Sequence, residues 1–385
     1  MKNALPKKLN QHSDPSWVTF ILLALCTLHT SIANAQSTPK AFAKNIIIVT
    51  VDGMRWQEVF NGMDASIADK KQFIRDDSAY LFRTYWDESP EIRRKKLFPF
   101  LWSTFIQSGR LYGNREWGNN VNVANPYFFS YPGYNEIFTG FPDTSVNSND
   151  YPPNPHLTLL SYLAKQNCFR GKVAAFGSWE AYRRILDAGH CGFPVAAGFG
   201  LYGFSESSPS EKLVNRMRAA SYSPDPEEGC LDLFTQYGAI EYLKAHKPRV
   251  LYIAFLETDS WAHEGSYRNY LDAANHVDKW LKELWETIQS DPFYRGNTAL
   301  LFTTDHGRGL GNEWTSHGGN PVASQIWFGL ICPGLPHLGE MKEPQQLYQR
   351  QLAQTIAGLL GQVYRASHPI GPAIDLLGSV KSRAK

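Results

Sequence analysis

Four runs of apolar, largely β-branched residues are separated along the chain by segments in which apolar positions recur at helical spacing. The runs have the composition of buried strands and cover residues 45–51, 172–177, 250–256 and 298–304. Helices are predicted over residues 154–166, 266–289 and 346–361. Strands that alternate with helices predict an α/β fold, a three-layer sandwich with a largely parallel central sheet and helices on both faces.

Two of the predicted helices carry end signals. Asn154 is expected to cap the first helix with Pro155 at its first position, and Gly361 is expected to end the last one. These signals give the predicted helices defined boundaries within the sandwich.

The N-terminal segment has the pattern of a secretory signal peptide. Lysines precede an apolar run over residues 17–25, and small residues follow, with Ala33 and Ala35 placed as in a cleavage site. The apolar run is too short to span a bilayer comfortably, so no stable membrane insertion is expected. The pattern predicts a signal peptide over residues 1–35, a single domain over residues 36–385, and export to the periplasm or the extracellular space.

Charge and cysteine content narrow the function classes. The formal net charge of +2 shows no bias towards a nucleic-acid polymer. Removal of the leader would leave an even number of cysteines in a compartment that permits disulfides, so two bridges are expected, with all three pairings open. No C-x-x-C spacing supports a thiolate metal site. The four cysteines are Cys168, Cys191, Cys230 and Cys332.

Carboxylate and imidazole side chains, which are costly to bury, follow the ends of three predicted strands. In open α/β sheets, ligands bind at the carboxyl ends of the strands, so these side chains are expected to converge. The last of them comes a few residues after the fourth apolar run. The set comprises three carboxylates and three imidazoles, namely Asp52, Asp259, His263, Asp305, His306 and His317.

Convergence of this set predicts divalent cations. Carboxylates crowded into a partly dry cleft raise one another's pKa unless a cation balances them. Mixed Asp and His ligation without cysteine is typical of catalytic Zn²⁺, and two ions need about this many ligands. Asp259 and His263 are four residues apart, which puts both on one face if the segment is helical.

A serine supplies a possible nucleophile. In "FFSYPGYNEIFTGFPD" (128–143), Ser130 precedes a helix-prone segment, and the amides of a helix N-terminus favour an anion. Taken alone, Ser130 could be an N-cap. Beside six metal-type ligands, the nucleophilic role is favoured.

The order of these residues resembles that of the alkaline phosphatase superfamily, closest to its nucleotide pyrophosphatase/phosphodiesterase and single-domain phosphatase branch. The resemblance covers about residues 44 to 362. The branch reads T-F-P-N-H-Y at its nucleophile, with T-G at a fixed distance. Here "SYPGYNEIFTG" keeps the hydroxyl residue, the aromatic residue, the proline and the spacing to Thr139 and Gly140.

The resemblance implies a metal-dependent phosphoric ester hydrolase, either a phosphomonoesterase or a phosphodiesterase, with an alkaline-phosphatase-like sandwich. It implies a small-molecule phosphate ester as substrate and a phosphoseryl intermediate on Ser130, which would also bridge towards the second of two ions, expected to be Zn²⁺. It assigns Asp259, His263 and His317 to one ion. It assigns the other ion to Asp52, Asp305 and His306.

One position departs from the branch and affects substrate binding. Where the branch has a phosphate-contacting asparagine, three residues after the nucleophile, this chain has Gly133. Other side chains must then contact the substrate. The candidates are Asn135, Asn114 and Arg115.

Three alternatives remain. A sulfatase-like hydrolase would need arginine where Tyr134 stands in the nucleophile motif. A phosphoglycerate-mutase-like phosphotransferase would need a larger insertion between Ser130 and Asp259. A non-catalytic binding protein on the same scaffold would not need a full ligand set. The sequence leaves open the monoester or diester preference and the oligomeric state.

Overall fold

A computed structural model describes residues 40–74, 78–199, 208–221 and 229–378. The predicted signal peptide lies outside the described residues. Within these ranges, no helix is both long enough and apolar enough to cross a membrane.

The strands of the described residues form two sheets. Eight strands make the central sheet, and three short strands make a small second sheet. The strands are β1 (Asn45–Val51), β2 (Arg110–Tyr112), β3 (Asn119–Asn122), β4 (Val173–Gly177), β5 (Val195–Ala197), β6 (Val250–Phe255), β7 (Thr298–Thr303), β8 (Gln325–Ile326), β9 (Phe328–Ile331), β10 (Gly339–Glu340) and β11 (Gln345–Tyr348).

The central sheet has the order β10-β2-β9-β7-β1-β6-β4-β5. The five strands from β7 to β5 are parallel, and β9 runs antiparallel to β7. Each of the four predicted strands is present within one residue of its expected ends. The largely parallel sheet predicted from the sequence is therefore confirmed. The small sheet has the order β11-β3-β8.

Helices cover both faces of the central sheet, as predicted. The α-helices are α1 (Trp56–Asn61), α2 (Ala65–Ala68), α3 (Lys71–Ile74), α4 (Ser78–Tyr85), α5 (Pro90–Leu97), α6 (Ile106–Ser108), α7 (Ser130–Thr139), α8 (Leu159–Lys165), α9 (Tyr182–Ile185), α10 (Pro209–Ala220), α11 (Asp232–His246), α12 (Glu257–His263), α13 (Tyr267–Ser290) and α14 (Leu352–Leu359). A π-helical stretch occupies Leu101–Phe105. Short 3₁₀ helices occupy Arg115–Trp117, Gly311–Thr315, Pro321–Ser324 and Gln349–Gln351.

The core forms two layers because alternate residues of each strand face opposite sides of the sheet. In β1, Ile47 and Val49 pack in the layer that contains the apolar faces of α11 and α13. Ile46 and Ile48 pack in the other layer, with α7, α8 and α14. Both faces of the strand are buried, which explains why its sequence is continuously apolar.

Two predicted helix boundaries were wrong. The first helix begins at Leu159 with Thr158 as its cap, because Asn154 turns its side chain into the interior and donates to Asn135 and to the Ile185 carbonyl. The last predicted helix contains strand β11 and a 3₁₀ turn before α14 begins at Leu352. Backbone pairing between β11 and β3 overrides the helical spacing there.

The expected disulfides do not form, since the four cysteines are unpaired thiols. Each buried thiol has a neighbour of its own. Cys191 contacts the Phe193 carbonyl, Cys230 contacts the Thr235 hydroxyl and Cys332 contacts the carbonyl of the next residue. Cys168 is exposed.

Candidate active site

The six predicted ligands meet at one edge of the central sheet. They follow β1, β6 and β7, which are adjacent strands that end at matching positions. Val51 pairs with Phe255, and Thr50 pairs with Thr303. The segments that leave these strands therefore begin side by side, and the ligand atoms form two groups of three.

The first group contains Asp259, His263 and His317, whose ligand atoms lie within 4.8 Å of one another. Helix α12 begins directly after β6 and places Asp259 and His263 on one face, with His263 Nε2 3.2 Å from Asp259 Oδ2. His263 Nε2 also lies 2.9 Å from His317 Nε2. Nδ1 of His317 lies 3.2 Å from the Phe128 carbonyl and donates to it, so its Nε2 presents a lone pair to the group.

The second group contains Asp52, Asp305 and His306, and all three are fully buried. His306 Nε2 lies 3.3 Å from Asp52 Oδ1 and 3.4 Å from Asp305 Oδ2. His306 Nδ1 donates to the Gly307 carbonyl at 2.8 Å, which in the neutral imidazole places the lone pair on Nε2. An imidazole lone pair therefore faces two carboxylates.

These donors fit a divalent cation. Asp305 Oδ2 is buried and has no hydrogen-bond partner, which is costly for a carboxylate. Burial, together with the neighbouring carboxylates, raises the pKa of Asp52 and of Asp305. A cation between the three donors would satisfy the orphaned oxygen, the lone pair and the negative charge together. The chemistry of the donor set supports the two-ion prediction, while the identity of the ions stays a prediction.

Arg308 was not predicted from the sequence, although it directly follows the "DHG" motif after β7. Its guanidinium is fully buried and donates to Asp259 Oδ1, to the Trp314 carbonyl at 2.8 Å and to the Thr315 carbonyl at 2.6 Å. Burial opposes the charge of Asp259, but Arg308 together with His263 and His317 outweighs it and holds the pKa of Asp259 well below its usual value. Arg308 thus orients one carboxylate of the first group.

Ser130 is the first residue of α7, and Phe129 is the N-cap. The Ser130 side chain makes no capping bond. Its Oγ lies 3.3 Å from Asp52 Oδ1 and 3.3 Å from His306 Nε2. Because the cap role belongs to another residue, the hydroxyl is free to act within the second group of ligands.

The first turn of α7 offers fewer amides than the sequence suggested. The Tyr131 N–H donates to Asn149 Oδ1 at 3.0 Å, and Pro132 has no N–H. The Ser130 N–H remains. Asn149 was not predicted, because nothing in its sequence context separates it from other loop asparagines, yet it lies against the nucleophile turn and its amide donor has no described partner.

Gly133 explains the departure from the branch motif. A Cβ at this position would lie 2.6 Å from the Asp305 carbonyl oxygen, closer than real Cβ atoms come to any backbone atom. Helix α7 packs directly on the end of β7, and this leaves no room for an asparagine side chain. The next residue is Tyr134, whose hydroxyl donates to Asp52 Oδ2 at 3.1 Å.

Two of the predicted substrate contacts, Asn135 and Asn114, make hydrogen bonds within the fold. The Asn135 amide donates to the Phe141 carbonyl and accepts from Asn154. Asn114 caps a 3₁₀ turn and donates to Glu340. Arg115 lines a cavity beside the nucleophile segment and does not contact the metal-type ligands.

Solved structures with this architecture are similar to nearly the whole chain. The wild-type alkaline phosphatase PafA has a TM-score of 0.56 at 11% identity, over 87% of this chain and 99% of PafA. The lipoteichoic acid synthase LtaP of Listeria monocytogenes has a TM-score of 0.54 at 15% identity, over 90% of this chain and 78% of LtaP.

The chain has the fold of the alkaline phosphatase superfamily. A putative sulfatase from Bacteroides thetaiotaomicron is also similar to this alkaline-phosphatase-like chain, with a TM-score of 0.54 at 14% identity, over 89% of this chain and 74% of the sulfatase. These identities are too low to transfer an activity.

A family model agrees with the fold. Residues 213–328 of this alkaline-phosphatase-like chain match the Metalloenzyme superfamily. The matched segment holds five of the six candidate ligands, and Asp52 and Ser130 lie outside it. No curated protein matches the sequence.

Proposed function

We propose that this chain is an exported phosphoester hydrolase that uses Ser130 as its nucleophile and two divalent ions, Zn²⁺, as cofactors. One observation carries the proposal. Ser130 begins a buried helix, has no capping role, and places its Oγ 3.3 Å from two ligand atoms of the second group. The signal-peptide pattern of residues 1–35 supports export.

The two groups of donors would each hold one ion. The first group consists of Asp259, His263 and His317. The second group consists of Asp52, Asp305 and His306. The balance of imidazole and carboxylate without thiolate favours zinc over calcium or magnesium. When bound, such ions supply Lewis-acid stabilisation of negative charge on the attacking and leaving oxygens of a phosphoryl transfer.

Ser130 would supply the covalent step. Its Oγ–H donates towards Asp52 Oδ1, so the proton leaves into the ligand cluster while an oxygen lone pair attacks phosphorus. The Oγ–P bond forms, the P–O bond to the alcohol breaks, and the alcohol takes up the proton that Ser130 gave up. The oxygen of a water molecule then bonds to phosphorus and the Oγ–P bond breaks, while one proton of that water passes to Oγ. This restores the serine hydroxyl and releases phosphate, or a phosphate monoester where the substrate was a diester.

Donors at the start of α7 would hold the other phosphate oxygens. The Ser130 N–H is the remaining amide of the first turn, and Asn149 is fixed beside it through its bond from Tyr131. An amide donor held in this way is oriented before the substrate arrives, which lowers the cost of binding. Asn149 thus takes the role that the sequence gave to Asn135.

Tyr134 supports a phosphate ester over a sulfate ester. It stands where a sulfatase motif requires arginine, and its hydroxyl donates to Asp52 instead of facing a modified nucleophile. Both the residue at this motif position and its hydrogen bond to Asp52 therefore favour a phosphate ester as the substrate.

A comparison of three aryl esters tests the proposal. The purified protein after leader removal, loaded with Zn²⁺, is assayed with p-nitrophenyl phosphate, bis-p-nitrophenyl phosphate and p-nitrophenyl sulfate. We expect cleavage of at least one phosphate ester, loss of cleavage on chelation, and no turnover of the sulfate. Ser130→Ala should lower kcat at least a thousandfold with an unchanged melting temperature, whereas the surface variant Ser290→Ala should behave as wild type.

The contrary results are specific. Full activity of Ser130→Ala would exclude the serine as nucleophile. Preferred cleavage of the sulfate would favour the sulfatase alternative. A folded, zinc-loaded protein that cleaves none of the three esters would favour a binding protein on this scaffold.

A further inference from the structure

A polar cavity of about 460 Å³ adjoins the nucleophile segment. Its walls come from the small sheet and from the loop that leads into α7. The residues that matter for its chemistry are Arg115, Phe128, Tyr348 and Arg350. We call it the arginine pocket.

The arginine pocket is close to the reacting group. Phe128 lines it and lies two residues before Ser130, so the two Cα atoms are at most about 7 Å apart. The Phe128 carbonyl also accepts the bond from His317 Nδ1. A small ligand held at Ser130 is therefore within reach of the pocket wall that Phe128 contributes.

The charge of the pocket is unbalanced. Arg115 is half-buried, and Nη1 donates only to the Val121 carbonyl at 3.4 Å and to Asn122 Oδ1 at 3.2 Å. Arg350 packs its guanidinium 5.3 Å from the centre of the Tyr348 ring. Within the parts of the chain that the structure describes, neither guanidinium has an ion-pair partner and no Asp or Glu lines the pocket.

The pocket is also held rigidly in place. Glu136, on the nucleophile helix, accepts backbone N–H bonds from Ala124, Asn125 and Arg350, which joins both walls to α7. Its carboxylate is thereby engaged with the backbone behind the wall. Asn125 Oδ1 accepts from the N–H of Phe128, which adopts a positive φ of 57° that a bulky residue rarely takes.

Arg115 is a half-buried cation without an ion-pair partner among the described residues, which is costly unless an anion completes it, and the exposed Arg350 adds a second positive charge beside it. We propose that the arginine pocket binds a second anionic group on the organic part of the substrate, so that the preferred substrates are phosphate esters that carry another carboxylate, sulfate or phosphate. This inference rests on the proposed function. It assigns to Arg115 a specificity role instead of a contact with the reacting phosphate.

Two esters that differ by one charge test the proposal. The zinc-loaded protein is assayed with 4-(phosphonooxy)benzoate and with its methyl ester, and the ratio of their kcat/KM values is measured. We expect wild type to favour the carboxylate. Arg115→Gln and Arg350→Gln should each lower the ratio about tenfold, mainly through KM of the carboxylate ester, and the exposed control Arg170→Gln should leave it unchanged.

The results separate this inference from the proposed function. A ratio that is the same in wild type and in both variants would overturn the pocket assignment while leaving the hydrolase intact. If Ser130→Ala retained full turnover, the assignment of Ser130 as the nucleophile would be wrong. The effect of Arg115→Gln and Arg350→Gln on the ratio of kcat/KM values would still test the pocket. If neither ester were cleaved, calorimetry would give the same comparison from affinities, where equal affinities for the two esters would overturn the inference.

Discussion

The hydroxyl oxygen of Ser130 lies 3.3 Å from Nε2 of His306, so the start of helix α7 meets the end of strand β7. The two residues are 176 positions apart in the chain. His306 turns Nε2 towards the hydroxyl, while its Nδ1 donates to the Gly307 carbonyl. The fold thus delivers a nucleophile and a metal-type ligand to one point.

Gly133 should tolerate no side chain. Gly133→Ala would bring a Cβ to 2.6 Å from the Asp305 carbonyl oxygen and force α7 away from β7. We expect the free energy of unfolding, measured by urea denaturation, to fall by about 1–3 kcal/mol. The activity, measured with an aryl phosphate, should also be lower.

Gly358→Ala is the matched control, because this helical glycine has open space where a Cβ would stand. It should be neutral or stabilise the protein by up to about 1 kcal/mol. Equal effects of the two substitutions would show that α7 does not pack against Asp305 as described.

Tyr134 should affect the zinc affinity of the second group of ligands. Tyr134→Phe removes the hydroxyl that donates to Asp52 Oδ2 and leaves the packing nearly unchanged. We expect zinc affinity of that group to fall about tenfold, measured by competition with a chromogenic chelator. The partly exposed Tyr237→Phe serves as the control. Unchanged affinity in Tyr134→Phe would remove this residue from the site.

Asp278 should make stability depend on pH. Burial raises the pKa of this carboxyl to about 7, although it accepts from the N–H groups of Phe100 and Leu101. The folded protein therefore keeps a proton that the unfolded chain releases near pH 4. Its contribution to stability is present at low pH and is lost as the pH rises through 7, by up to about 1.4 kcal/mol per pH unit.

Urea denaturation between pH 5 and pH 8 measures this dependence. Asp278→Asn, which cannot titrate, should show a shallower fall in the free energy of unfolding than wild type. Parallel curves for the two proteins would show that Asp278 is ionised throughout.

The long strands could be predicted because they are buried on both faces and are therefore apolar throughout. Short strands such as β11 could not, since Gln345–Tyr348 is mostly polar and becomes a strand only by pairing with β3. Asn154 followed by proline has the pattern of a helix start, but its side chain is used between Asn135 and Ile185.

The metal-type ligands could be proposed from the sequence because they follow recognisable strands. The phosphate contacts could not, because they depend on how loops meet. Asn149 reaches the nucleophile turn only through the folded path of the chain after α7. Arg308 was adjacent to a recognised motif, yet its contact with Asp259 becomes visible only when β6 and β7 are placed on either side of β1.

The central claim is that Ser130 carries a phosphoryl group during turnover in a two-zinc site. The most direct measurement is mass spectrometry of the zinc-loaded protein, acid-quenched during steady-state hydrolysis of p-nitrophenyl phosphate, with zinc content determined on the same sample. We expect about two zinc ions per chain and one added phosphoryl group on the peptide that contains Ser130. Under the same conditions the phosphoryl group should be absent from Ser130→Ala and present in Ser290→Ala. Turnover by a zinc-loaded wild type whose phosphoryl group is found on another residue would contradict the account.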